Sequence, residues 1–137
     1  MGTVKPISYE LENYQHGAIL TNALLATADL TGATLVGAQL NAVGAKAANF
    51  HRAMCQSANL DGAKLQSANL TYANLHNSTL TQADLKQALL VGVELKDASF
   101  DTATKWPKHF YPTISGAKYV AQPQSSAQAV SDNKLLA

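Results

Sequence analysis

The chain has 137 residues, enough for one small domain. Its formal net charge is +1 and only 14% of its residues are charged, which argues against nucleic acid or an anionic membrane surface as a partner. No apolar run approaches the roughly 18 residues of a membrane span, and the single cysteine excludes an intrachain disulfide. The start lacks the long apolar run of a secretory signal, so we expect a cytoplasmic location; a mature lumenal or periplasmic form whose leader has been removed would look the same.

Residues 1–17 do not follow the pattern that fills most of the chain. Ile7, Leu11 and Tyr14 are spaced as on one face of a short helix, and Gly17 follows as a stop signal. We expect this segment to be an N-terminal cap that covers the first unit of a repeat. A partner-binding arm is the alternative.

Residues 18–105 form a repeat with a period of five. Large apolar residues occupy every fifth position from 20 to 100, and Ala lies two positions before each, except at Val43, Ser78 and Val93. The exceptions at the large positions are Ala45 and Cys55. Because an inward cysteine in apolar surroundings should have a raised pKa, we interpret Cys55 as inert.

A period of five fits neither a helix nor a flat strand. Five residues advance about 500° on an α-helix, so the large residues would spiral around it and form no stripe. On a flat strand they would alternate between the two faces. The pattern instead predicts a chain that turns a corner after every unit and points each large residue inward.

The units resemble those of the pentapeptide-repeat family, whose motif is A-(D/N)-L-x-x. Examples are Ala28-Asp29-Leu30, Ala58-Asn59-Leu60 and Ala83-Asp84-Leu85. The resemblance implies an all-β fold, a right-handed quadrilateral β-helix of about four coils, with coils stacked like parallel strands about 4.8 Å apart. The Asn and Asp side chains would support the corners by bonding their own backbone. The predicted core includes Leu30, Phe50, Leu60, Leu70, Leu75, Leu85 and Phe100.

Residues 106–112 end the repeat, because Pro107 and Pro112 cannot donate ladder hydrogen bonds. We expect Trp106 and Phe110 to cover the open core as a C-terminal aromatic cap; an exposed aromatic binding site is the alternative. The T-x-W-P-x-x-F-x-P spacing resembles the closing segment of cyanobacterial members of the family, and this resemblance implies a cytoplasmic or thylakoid-associated protein. Residues 113–137, rich in Gln, Ser and Ala, are predicted to be a flexible, disordered tail.

Catalytic signatures are missing from the sequence: it contains no G-x-S-x-G, H-E-x-x-H or C-x-x-C. The four histidines fall on different sides or ends of the predicted rod, and a rod filled with Leu leaves no substrate cavity. The sequence therefore predicts a protein that is not an enzyme and uses neither cofactor nor metal.

One side of the rod has the composition of a protein interface. Arg and Tyr, favoured in binding hot spots, lie there beside exposed apolar residues. This predicted patch consists of His51, Arg52, Thr71, Tyr72, Leu89 and Val91. We therefore expect a non-catalytic interaction or scaffold module whose partner is another protein, the chain itself being a monomer or an end-to-end dimer. An ordinary solvated surface with scattered large residues is the alternative interpretation of the patch. The neighbouring side, with Lys46, Lys64 and Lys86, is interpreted as solvated surface.

Two further functions remain as alternatives. Some pentapeptide-repeat proteins protect DNA gyrase, a topoisomerase, by imitating duplex DNA. Those relatives resemble long acidic rods with central Phe residues, whereas this chain is short, Leu-centred and poor in acids. Ice binding would need a regular two-column array of Thr, and the outward Thr residues do not form one.

Overall fold

The computed structural model describes residues 17–121, which are wound into stacked coils of four sides each. Parallel bridges join each outward residue before a core position to its equivalent one coil later, as from Ile19 to Gln39. Four such ladders run along the rod, and they begin at Ile19, Leu24, Asp29 and Thr34. This arrangement confirms the predicted all-β quadrilateral β-helix. Two segments pair over two consecutive residues and therefore form short strands, β1 at Ser99–Phe100 and β2 at Lys118–Tyr119.

Each corner is a four-residue β-turn. The N–H after the turn donates to the carbonyl of the preceding core residue, as from Ala33 to Leu30 at 3.0 Å. Every fifth residue from 22 to 97 has a positive φ, as the second central position of a type II turn requires. Glycine occupies only four of these corners. Elsewhere L-residues adopt the left-handed conformation at about 1–2 kcal/mol each, which the bonds between coils must offset.

Asn and Asp side chains brace the corners from outside. The Asn49 Oδ1 accepts the N–H of His51 at 2.9 Å, and the Asn69 Oδ1 accepts the N–H of Thr71 at 3.0 Å. The same bond recurs at Asp29, Asn59, Asn74 and Asp84. This confirms the predicted structural role of these side chains.

The core is a column of large side chains flanked by alanines. Most of the predicted core residues have at most 2% of their surface exposed: Leu30, Phe50, Leu60, Leu70, Leu75 and Leu85. Phe100, at the end of the column, is half-buried and packs edge-on against Trp106 with ring centroids 5.6 Å apart. Each buried Leu contributes roughly 1.5–3 kcal/mol, so the column is the main source of stability.

The regular spacing breaks at the fifth coil. Thr79 bridges Ser99, 20 positions later, whereas Asp84 bridges Lys105, 21 positions later. One extra residue is therefore accommodated between β1 and Lys105. The buried Asp101 lies in this insertion, and its Oδ1 accepts N–H groups from Gln82, Ala103 and Thr104 at 3.0–3.1 Å.

The C-terminal boundary of the rod differs from the one drawn from the sequence. Strand β2 pairs in parallel with β1, the Lys118 N–H donates to Ala98 O at 2.7 Å, and the Lys118 ammonium contacts Asp97 at 2.8 Å. Residues 113–121, which the sequence assigned to the flexible tail, therefore form part of the fold. Their backbone satisfies the open edge of β1, a bond pattern that side-chain composition does not encode. The rest of the predicted tail, 122–137, and residues 1–16 of the predicted cap lie outside the described residues.

Cys55 is fully buried, and burial raises the pKa of its thiol to about 12. Because the thiolate is the reactive form, we expect the native protein to resist a thiol reagent near neutral pH and to react on unfolding. Following absorbance from a chromogenic disulfide reagent checks this. Labelling of the native chain as fast as of the unfolded chain would contradict it.

The same shift predicts a loss of stability in alkali. Between the ordinary value of 9.0 and about 12, the unfolded thiol has lost its proton while the folded thiol keeps it. The unfolded state then binds fewer protons, so the free energy of unfolding falls by about 1.4 kcal/mol per pH unit in that window. The Cys55→Ala variant lacks this group and should show a shallower decline in urea titrations across the window. Equal slopes would contradict the assignment.

Candidate protein-interaction surface

The predicted patch lies on one side of the rod, called here the His51 side. Its core residues are Leu30, Phe50, Leu70 and Leu90, and each of them directly follows a member of the bridge ladder formed by Asp29, Asn49, Asn69 and Leu89. Two outward columns follow that ladder. The first holds Thr31, His51, Thr71 and Val91, and the second holds Gly32, Arg52, Tyr72 and Gly92.

A chain of hydrogen bonds fixes His51 between two coils. The Thr71 hydroxyl donates to Asn69 Oδ1 at 2.8 Å, so its oxygen is left to accept from His51 Nδ1 at 2.5 Å. With the proton on Nδ1, the His51 Nε2 is an acceptor, and Arg52 Nε–H donates to it at 3.3 Å. The network thus orients both the His51 imidazole and the Arg52 guanidinium.

Tyr72 forms the centre of the patch. The Arg52 guanidinium carbon lies 5.6 Å from the Tyr72 ring centroid, within cation–π range. The His51 ring meets the Tyr72 ring edge-on at 6.1 Å. On its other side, Tyr72 covers Gly92, where an added Cβ would lie 2.5 Å from two ring atoms. The ring is held in place although 56% of the residue is exposed.

Leu89 and Val91 extend the patch along the next coil. Their exposed fractions are 54% and 68%. Backbone bonds set their positions: the Tyr72 N–H donates to Val91 O and the Leu70 N–H to Leu89 O, both at 2.9 Å. The structure therefore brings His51, Arg52, Thr71 and Tyr72 into direct contact and places the two apolar side chains beside them.

Gly32 and Gly92 provide a matched test of the Tyr72 position. Both have a positive φ, but a Cβ at Gly32 would meet nothing within 4 Å. We expect Gly32→Ala to cost about 1–2 kcal/mol from backbone strain alone, and Gly92→Ala to cost about 1 kcal/mol more because the Tyr72 ring must move.

Thermal and urea unfolding of both variants, alone and with Tyr72→Asn, measures this difference. With the ring removed, the two glycine substitutions should cost the same. A difference that persists without Tyr72 would show that the ring does not occupy the place over Gly92.

The predicted aromatic cap residues lie at the far end of the core. Trp106 and Phe110 stack with ring centroids 5.3 Å apart, and both pack against the core. Sequence reasoning missed Tyr119, whose ring meets Phe100 at 5.8 Å. It also missed Asp101 and Thr104, although an Asp followed three residues later by Thr signals a side-chain-capped turn.

Within residues 17–121, no group of three or more His, Cys, Asp or Glu side chains is placed to hold a metal ion. The same range contains no helix long and apolar enough to cross a membrane.

The family model for pentapeptide repeats matches residues 16–43, 48–87 and 68–104, with eight copies. The chain belongs to the pentapeptide-repeat family. A search of curated proteins found no match.

Solved structures include several relatives. A pentapeptide repeat protein from the cyanobacterium Cyanothece 51142 is 34% identical to this chain, with a TM-score of 0.53. The alignment covers 65% of this chain and 60% of the Cyanothece chain. One from Nostoc PCC 7120 is 30% identical with a TM-score of 0.40, over 75% and 81%. A thylakoid-lumen protein of Arabidopsis thaliana is 21% identical with a TM-score of 0.52, over 85% and 72%. The chain thus spans 60% of the length of the Cyanothece relative.

Proposed function

We propose that this chain is a non-catalytic protein-interaction module in which a rigid β-helix presents the His51 side to another protein. The observation that carries the proposal is the fixed position of exposed Arg52 and Tyr72. Side chains already held by neighbours lose little rotamer freedom on binding, and Arg and Tyr are the residue types that dominate hot spots. Leu89 and Val91 would supply apolar area next to them.

The backbone gives a second reason. Arg52 and Tyr72 both have positive φ, 59° and 57°, where Gly or Asn is better tolerated. Large side chains at such corners cost stability without filling the core, since both are exposed. An advantage at the surface would explain their presence.

Substitutions that suit the corner test this proposal. Arg52→Asn with Tyr72→Asn removes the hot-spot side chains and should leave the free energy of unfolding within about 1 kcal/mol. The matched control is Ala42→Asn with Gln82→Asn, which lie at the same corner position on another side and also have positive φ. Affinity capture from the native cell extract should lose its specific partner with the first pair and keep it with the second.

If the variant with Arg52→Asn and Tyr72→Asn still captures the partner as the native chain does, the assignment of the patch as the binding surface is wrong.

The proposal includes a cytoplasmic location, which cell fractionation measures, and a monomeric or end-to-end dimeric state, which light scattering measures. DNA mimicry gains no support from the side chains, because a neighbouring side of the rod carries lysines at Lys46, Lys64 and Lys86.

A further inference from the structure

The side next to the His51 side carries most of the positive charge, and it is called here the lysine side. Its exposed lysines continue beyond the three noted in the sequence to the end of the rod: Lys46, Lys64, Lys86, Lys105 and Lys108. The single acid in these columns is Asp84. On the remainder of residues 17–121, acidic side chains outnumber Lys and Arg. The charge is therefore segregated, although the net charge of the chain is only +1.

A cleft opens where this side meets the end of the rod. Its volume is about 620 Å³, within the range of ligand pockets, and it is lined by Lys86, Gln87, Trp106, Pro107 and Lys108. The indole and the proline ring provide apolar walls, while the two lysines provide cations.

We propose that the lysine side and this cleft bind an acidic peptide segment of a partner protein, with an apolar side chain of that segment entering the cleft. A carboxylate next to the apolar residue would pair with Lys86 or Lys108. Further carboxylates would lie along Lys64 and Lys105. The binding energy comes from the cleft, and the lysine side steers the segment towards it.

Other polyanions fit these features less well. Proteins that bind duplex DNA commonly neutralise about 6–10 phosphates, more than five lysines can reach, and Asp84 would repel a continuous phosphate backbone. An anionic membrane would need the aromatic residue to project from the surface, whereas Trp106 is half-buried and packed between Phe100 and Phe110.

The single tryptophan makes the cleft directly observable. We would titrate the full chain with a short peptide of alternating Glu and Leu and follow Trp106 fluorescence. A saturable change that weakens as ionic strength rises is expected. The Lys86→Gln and Lys108→Gln double variant should bind roughly tenfold more weakly. The control, Lys96→Gln with Lys118→Gln, removes the same charge from other sides and should change affinity by no more than about twofold.

A second peptide, with Ser in place of Leu, should bind more weakly if the cleft takes an apolar side chain. The proposal is overturned if Trp106 fluorescence does not respond or if both double variants weaken binding equally. It is also overturned if duplex DNA or phosphatidylserine vesicles bind more tightly than the peptide and displace it, since the partner would then be a nucleic acid or a membrane.

Discussion

Replacing Asp101 with Ala is expected to lower the free energy of unfolding by about 3–5 kcal/mol. The Asp101 Oδ1 accepts N–H groups from Gln82, Ala103 and Thr104, and only 4% of the residue is exposed. Without the carboxylate, several backbone donors at the one-residue insertion would lose this acceptor. Urea unfolding of the variant measures the loss.

Two substitutions make the result specific. Asp101→Asn keeps an oxygen acceptor and should cost less than half as much as Asp101→Ala. Asp61→Ala, at the equivalent position two coils earlier, removes an acceptor for the Thr81 hydroxyl at 2.5 Å and should cost about 1 kcal/mol. If Asp101→Ala is no worse than Asp61→Ala, Asp101 does not hold the insertion together.

Ending the chain after Pro112 is expected to destabilise the rod by roughly 3–5 kcal/mol, whereas ending it after Ala121 should have little effect. The shorter chain loses β2 and the three backbone bonds that tie it to residues 97–100, from Lys118 to Ala98, from Val120 to Phe100 and from Asp97 to Gly116. It also uncovers Phe100, which packs against Tyr119.

Thermal unfolding of the two truncated chains and the full chain tests this prediction. The matched comparison is the chain ending after Ala121, which keeps β2 and its pairing with β1. Equal melting temperatures for all three chains would show that β2 does not stabilise the end of the rod. A partner-capture experiment that removes the tail should accordingly cut after Ala121, so that loss of binding is not mistaken for loss of fold.

The sequence predicted the regular part of the fold because one physical rule generates it. Each inward Leu or Phe and each Ala two positions earlier reports burial directly, and Asn49 or Asp29 reports a braced corner. The end of the rod follows no such rule. Residues 113–121 are held mainly by backbone bonds to β1, and these bonds leave no period in the side chains. The insertion at Asp101 shifts the register by one residue, which the period alone does not reveal.

The sequence predicted which residues of the candidate patch are neighbours, but it did not predict the contacts that fix their side chains. Wrapping the sequence with 20 residues per coil placed His51 beside Thr71 and Arg52 beside Tyr72. It did not show that Thr71 orients the imidazole or that Gly92 makes room for the Tyr72 ring, because those facts depend on rotamers. The lysine side was underestimated for a related reason, since Lys105 and Lys108 join it only after the register shift.

The most direct test of the proposed interaction is site-specific photo-crosslinking in the cells that make the protein. A benzophenone amino acid would replace Tyr72, which keeps an aromatic ring at that corner. The matched position is Asn77, an exposed corner of the same kind on the next side, with φ 61°. We expect a discrete protein adduct from position 72 and none from position 77. Adducts from position 77 alone, or equally from both positions, would contradict it.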